Sequence, residues 1–273
     1  MQEHDDVRAK GAAMRRRAVS AQKGGVAKTT TVANLAAAWG AQGRRVLVVD
    51  CDAQFDLTRA LGVAPSAAPA TMLEVLTGTR SAIDAIVHDV LPGVDLLAGH
   101  RSLRGLELGL ANEIKREEYL TRALADVDGY DELLIDCPPN LGLLTVNALF
   151  AAREVLLPVS MKDGAALQSA AEVRATVAVL AERDVEIAIT AVIRTMVDRR
   201  RLAYRAIMES LDDLALPVAD IEIPLTADFD NSIVVGCPLV ATKPASAGAQ
   251  AYIALADELR APALRPAVAG RVS

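Results

Sequence analysis

Aromatic residues are scarce in this 273-residue chain: Phe, Trp and Tyr make up 3% of it, although 52% is hydrophobic. Any core must therefore be filled by Ala, Val, Leu and Ile, and the length suits one large α/β domain as well as two smaller ones. Cysteines number three, an odd count without paired spacing, which speaks for a reducing compartment and against a disulfide framework. Cys51 and Cys137 adjoin apolar runs and read as small buried hydrophobes, not cluster ligands. His4, His88 and His100 form no metal-ligand spacing. No apolar run approaches 18 residues, and the charged stretch 1–13 lacks the apolar centre of a signal peptide. Pro262, Pro266 and Gly270 keep 262–273 from forming an amphipathic membrane helix. A basic excess is missing too: 29 Lys and Arg against 35 Asp and Glu leave a net charge of −6, so no global field draws nucleic acid. The expectation is a cytoplasmic protein with no membrane partner, a single domain over 14–261 and flexible tails at 1–13 and 262–273. Met1 and Met14 are both candidate starts.

Against these absences stands the octapeptide KGGVAKTT, from Lys23 to Thr30. A phosphate-binding loop needs small residues so that backbone N–H groups can turn onto anionic oxygens. It also needs a lysine for the outer phosphates and a hydroxyl for Mg²⁺. Backbone amides of Gly24, Gly25, Val26, Ala27 and Lys28 can make the cradle, Lys28 supplies the charge, and Thr29 and Thr30 supply hydroxyls. The ordinary pattern places its first Gly six residues before the lysine, where this chain has Gln22; Lys23 is the unusual element.

The context is strand, loop, helix. Arg17 to Ser20 is a short extended run, and after the loop Val32, Leu35, Ala36 and Trp39 recur at helical spacing toward Gly43. RVLVVD, Arg45 to Asp50, and ELLID, ending at Asp136, are continuous apolar runs of the kind found in doubly buried parallel strands. Carboxylates ending such strands are costly unless they serve a metal, a water or a lysine. Further along, the patterning predicts helices from Thr71 to Leu76, Ser81 to Val87, Leu103 to Ala125, Ala165 to Leu180, Leu202 to Leu211 and Ala247 to Arg260. It predicts extended runs at Val94 to Ala98, Glu154 to Pro158, Glu186 to Ile193 and Val218 to Ile223. This alternation implies an α/β, doubly wound, mostly parallel sheet with helices on both faces and the ligand at the carboxyl ends of the strands.

Five ordered segments resemble the ParA/Soj partition ATPases, within the deviant Walker A P-loop group that includes MinD and nitrogenase iron protein. KGGVAKTTTVANLA resembles the deviant Walker A loop, with Lys23 as its signature lysine. DCDAQFDLT, Asp50 to Thr58, resembles the segment written DxDPQGNAT, and LLIDCPPNLG, Leu133 to Gly142, resembles Walker B and switch II. TMVDRR, Thr195 to Arg200, and GCPLVATKPASAGAQAY, Gly236 to Tyr252, resemble the family's late signatures. The resemblance implies a Mg²⁺-dependent ATPase, slow without its partner, with ATP/ADP and Mg²⁺ as cofactors. It implies that Lys28 neutralises the β- and γ-phosphates, Thr29 ligates Mg²⁺, Asp136 holds a Mg²⁺ water and Asp52 positions the attacking water. Asp50 supports the loop, and Pro224 and Thr226 contact adenine. Lys23 would reach across a homodimer to the partner's phosphates.

Three departures bear on that expectation. Ala27 replaces the usual Gly before the lysine and is tolerable only if its φ is negative. Phe55 and Asp56 replace small and amide residues after Gln54, and Leu225 and Asp228 stand where many chromosomal members carry arginines that touch DNA. The candidate DNA-binding set is Arg199, Arg200, Arg201 and Arg205, with Arg194 nearby, although a charge run is more often a solvated face. The expected function is plasmid or chromosome partition. In it the ATP dimer binds duplex DNA non-specifically at the nucleoid, and a ParB-type centromere-binding protein stimulates hydrolysis. The alternative is a ParA-like ATPase that positions a protein cargo, or regulates a scaffold, without binding DNA.

Overall fold

The computed structural model describes residues 13–109, 113–162, 164–183 and 185–260. Apart from Ala13, the expected tails lie outside the described residues. The chain opens with β1 (Arg15–Val19), the loop, α1 (Lys28–Ala41), β2 (Val46–Asp50) and α2 (Asp56–Ala60). It continues through α3 (Met72–Leu76), α4 (Ala82–Ala85), β3 (Ile86–Leu91) and β4 (Val94–Leu97). The middle holds α5 (Leu103–Gly109), α6 (Tyr119–Ala123), β5 (Glu132–Asp136), α7 (Leu143–Ala152), β6 (Glu154–Ser160) and α8 (Ala165–Ala181). It closes with β7 (Ala188–Thr195), α9 (Leu202–Asp213), α10 (Asp228–Val235), α11 (Leu239–Thr242) and α12 (Ala247–Glu258).

The sheet has seven strands in the order β3-β4-β2-β5-β1-β6-β7, and only β3 runs antiparallel among its pairings. β2 and β5 are buried along their whole length, which is why their sequences are unbroken apolar runs. One apolar core lies under α1 and α12; the other packs α7, α8 and α9 against the opposite face. The few aromatics are spent at joints. Trp39 Nε1 donates to the Ala256 carbonyl over 3.0 Å and Thr31 meets the Tyr252 hydroxyl at 2.9 Å, tying α1 to α12. In register, Asp50 of β2 stands beside Asp136 of β5 at the carboxyl end.

Several expected elements are corrected. The helix expected to run from Ser81 to Val87 stops at Ala85, because Ile86 and Val87 pair with Leu97 and Leu96 as a strand. The long helix expected over Leu103 to Ala125 breaks into α5, a 3₁₀ turn at Arg116–Glu118 and α6, with Lys115 at φ +54° entering the turn. Val218 to Ile223 is not a strand; it follows β7 through an isolated bridge at Val192 and a hydrogen bond from the Ile223 N–H to the Arg194 carbonyl, without forming a ladder. α7 escaped the patterning because it is apolar nearly all round and shows no polar face.

Candidate functional site at the carboxyl ends of the strands

The loop after β1 is pinned from below and from the side. The Gln22 N–H donates to Ser169 Oγ over 2.8 Å, and Thr195 Oγ1 donates to the Val26 carbonyl over 3.1 Å. Val26 is buried, so its side chain serves the core and only its amide is available to a ligand. Gly25 and Ala27 both take left-handed backbone, each at φ +71°. The expectation for Ala27 is thereby overturned: the turn into α1 demands the conformation that a Cβ disfavours by about 1–2 kcal/mol. Ala27→Gly should therefore raise unfolding stability by roughly 1 kcal/mol, net of glycine's greater unfolded-state entropy. Urea denaturation with an unchanged m-value checks it, and no gain in midpoint would mean that the loop stores no such strain.

Four ionisable side chains converge behind the loop. Thr29 Oγ1 donates to Asp136 Oδ2 over 2.7 Å, and Asp136 Oδ1 is buried without a hydrogen-bond partner. Burial and the Asp50 carboxylate push Asp136 well above the usual carboxylate range. Lys28 is buried and donates to the Lys23 carbonyl over 3.1 Å; burial lowers its pKa against the pull of Asp136. Asp52 is half-buried, accepts the Gln54 N–H over 2.9 Å and is raised by desolvation. Asp50 is fully buried, accepts from Thr58 and the Asp52 N–H, and is pushed up to about 7 by burial. The orphaned Asp136 oxygen beside a threonine hydroxyl suits Mg²⁺, which is commonly held by one or two protein oxygens together with waters and phosphates. Among the described residues no group of three or more His, Cys, Asp or Glu side chains could hold a metal alone, and Cys51 and Cys137 are buried thiols raised by desolvation.

A cleft of about 420 Å³ runs from this cluster over the sheet edge. Gly24, Gly25, Ala27, Lys28, Thr29, Thr30 and Asp52 line one end; Pro224 and Thr226 line the other with Met196 and Phe229. The cleft thus joins the expected phosphate and base ends. Lys23 is not on its lining, whereas Lys162, just beyond β6, is. Lys162, Met196 and Phe229 were not legible in the sequence, because a cleft wall built from the loops after β6 and β7 and the first turn of α10 leaves no periodic signal.

The family described as AAA domain matches residues 14–189. Over 247 residues the chain is 35% identical to the sporulation initiation inhibitor protein Soj of Bacillus subtilis, a match spanning 89% of this chain and 97% of Soj. It is 34% identical to the chromosome partitioning protein ParA of Caulobacter vibrioides, over 89% of this chain and 92% of ParA. The chain belongs to the ParA/Soj family of ATPases. The structure of Mycobacterium smegmatis cobyrinic acid a,c-diamide synthase with bound ADP and magnesium superposes on this ParA/Soj ATPase with a TM-score of 0.78. That match is 34% identical and covers 94% of this chain and 100% of the other. ATP, ADP and Mg²⁺ are accordingly its nucleotide and metal.

The arginines of this ParA/Soj chain are less free than their spacing suggested. Arg194 is buried and holds Glu222 over 2.5 Å and the Ala219 carbonyl over 2.8 Å, so it serves the fold. Arg199 shares Glu222 at 2.8 Å, while Arg200 and Arg201 both face Asp198, at 2.9 and 3.7 Å. Arg205 is exposed on α9, without an ion pair among the described residues. Asp228 pairs with Lys243 at 2.8 Å, and Leu225 is exposed at the cleft's rim. No described helix is long and apolar enough to cross a membrane.

Proposed function

We propose that this ParA/Soj ATPase is a cytoplasmic nucleotide switch for plasmid or chromosome partition, dimeric with ATP, whose ATP form binds duplex DNA. The observation that supports the switch is the orphaned Oδ1 of Asp136, whose Oδ2 accepts from Thr29, beside buried Lys28. Thr29 and Asp136, the latter through water, would hold Mg²⁺, which neutralises the outer phosphates when bound. The loop amides orient the triphosphate, Lys28 screens its outer charge, and Asp52 holds the attacking water. Pro224 and Thr226 contact the base. Hydrolysis in the absence of a partner is slow, and a ParB-type protein accelerates it.

The DNA surface in this reading is Arg199, Arg200, Arg201 and Arg205, doubled in the dimer. Arg199 pairs with Glu222, Arg200 and Arg201 pair with Asp198, and Arg205 pairs with neither, which leaves a local excess of positive charge inside an acidic chain. Binding should need ATP, ignore sequence and weaken steeply with salt, with the log–log slope steepening by about 0.9 per phosphate contact. Arg200→Ala with Arg201→Ala should flatten that slope and leave ATP affinity intact. A titration with ATP, ADP and no nucleotide across a salt series decides. A second reading, positioning of a protein cargo without DNA, is favoured by the exposed apolar Leu225, Val234 and Val235 and by the Asp228–Lys243 pair. Absence of ATP-dependent DNA binding at low salt selects that reading.

A further inference from the structure

Thr58 is fully buried in α2, six residues beyond Asp52, and its hydroxyl joins three segments of chain. Oγ1 donates to Asp50 Oδ2 over 2.6 Å and accepts the Gly99 N–H over 2.9 Å, and the Thr58 N–H donates to the same Oδ2 over 2.9 Å. The other carboxylate oxygen, Oδ1, accepts the Asp52 N–H over 3.2 Å. Asp50 ends β2, and Gly99 follows β4, so the contacts run from one strand end through α2 to the loop carrying Asp52. The carboxylate has no room to turn: a Cβ on Gly99 would stand 2.7 Å from Asp50 Cγ.

α2 has little else at its start. Its N-cap, Phe55, sits at φ +46° and gives no side-chain cap, although the Arg59 guanidinium lies 5.0 Å from the Phe55 ring centroid. A hydroxyl used both as donor and as acceptor, with no solvent contact, fits a relay better than a filler. Valine would match threonine's shape, yet would leave the Gly99 N–H unpaired and remove a donor from Asp50.

We propose that Thr58 is a positioning residue for ATP hydrolysis: it fixes the Asp50 carboxylate, which holds the Asp52 backbone and with it the carboxylate that meets the attacking water. The inference rests on the role given to Asp52 above and adds the element that aims it. Its energetic signature is a loss in turnover without a loss in ground-state nucleotide binding, because the P-loop contacts are made elsewhere.

The test measures ATP turnover at saturating nucleotide, ATP affinity and melting temperature for Thr58→Val, Thr58→Ser, Gly99→Ala and Asp52→Ala. Thr58→Val should lower kcat roughly tenfold or more with ATP affinity within about threefold of wild type, and Thr58→Ser, which keeps the hydroxyl, should recover at least about half of the turnover. Gly99→Ala presses on Asp50 from the other side and should give the same split, which keeps the question open to decision if the valine variant does not fold. Thr58→Val that melts earlier but turns over normally per folded molecule, beside a slow Asp52→Ala, overturns the relay alone. Normal turnover in Asp52→Ala overturns the Asp52 role and the relay together.

Discussion

Lys28→Ala should lose ATP binding by roughly 100-fold, while Lys23→Ala should bind ATP as wild type and fail to dimerise with it. The two lysines sit five residues apart on one loop, yet the structure separates them. Lys28 is buried, lines the cleft and has its ammonium directed back over the loop to the Lys23 carbonyl. A charge-assisted contact to phosphate in such a site contributes about 3 kcal/mol, which is roughly a hundredfold in affinity. Lys23 contributes its main-chain carbonyl, which alanine retains, and its side chain does not line the cleft of its own subunit. An ammonium outside the cleft of its own subunit fits the proposed reach to a partner's triphosphate. Equilibrium binding of a fluorescent ATP analogue and sedimentation with ATP or ADP measure both effects. Normal ATP-dependent dimerisation of Lys23→Ala would remove the cross-subunit role.

The parts of this molecule that were legible in its sequence are those set by short-range chemistry. Lys28, Thr29 and Asp136 announced themselves because a phosphate loop and a strand-end carboxylate need fixed residue types at fixed offsets, and the structure joins Thr29 to Asp136 by a hydrogen bond with Lys28 in the field of the same carboxylate. β2 and β5 were legible because burial on both faces forces an unbroken apolar run. What stayed hidden depends on long-range packing. β3 is a strand only because β4 lies beside it, and α7 carries no polar face to mark its period. Arg194 and Arg199 looked like a free charge run until Glu222, more than twenty residues later, came to sit between them. Ala27 shows the reverse error. Its side chain argued for negative φ, but the turn between Gly25 and α1 dictates the backbone and the alanine is carried into left-handed space.

The largest effect on stability is expected far from the nucleotide. Arg17 on β1 is fully buried, with its guanidinium 2.6 Å from Glu132, 2.7 Å from the Leu259 carbonyl and 5.0 Å from the Trp39 ring centroid. Arg44 takes the other Glu132 oxygen at 2.7 Å. Taking these charges out of water is costly, and their mutual attraction offsets that only while every partner is present. Glu132→Ala removes the carboxylate shared by two arginines, so it should cost about 3–5 kcal/mol in urea unfolding. Replacing both fully buried partners together, Arg17→Met with Glu132→Leu, should cost less than Glu132→Ala alone, since Arg44, left without Glu132, is partly exposed to water and Glu154 keeps Arg15. The geometry also separates stability from function. Glu132 begins β5 and Asp136 ends it, four residues or about 13 Å along an extended strand. At temperatures where Glu132→Ala is still folded, its ATP affinity should therefore match wild type. Unfolding within about 1 kcal/mol of wild type would show that the buried pair carries no net stabilisation. A matching loss of ATP affinity in the folded protein would show instead that the two ends of β5 are not mechanically independent.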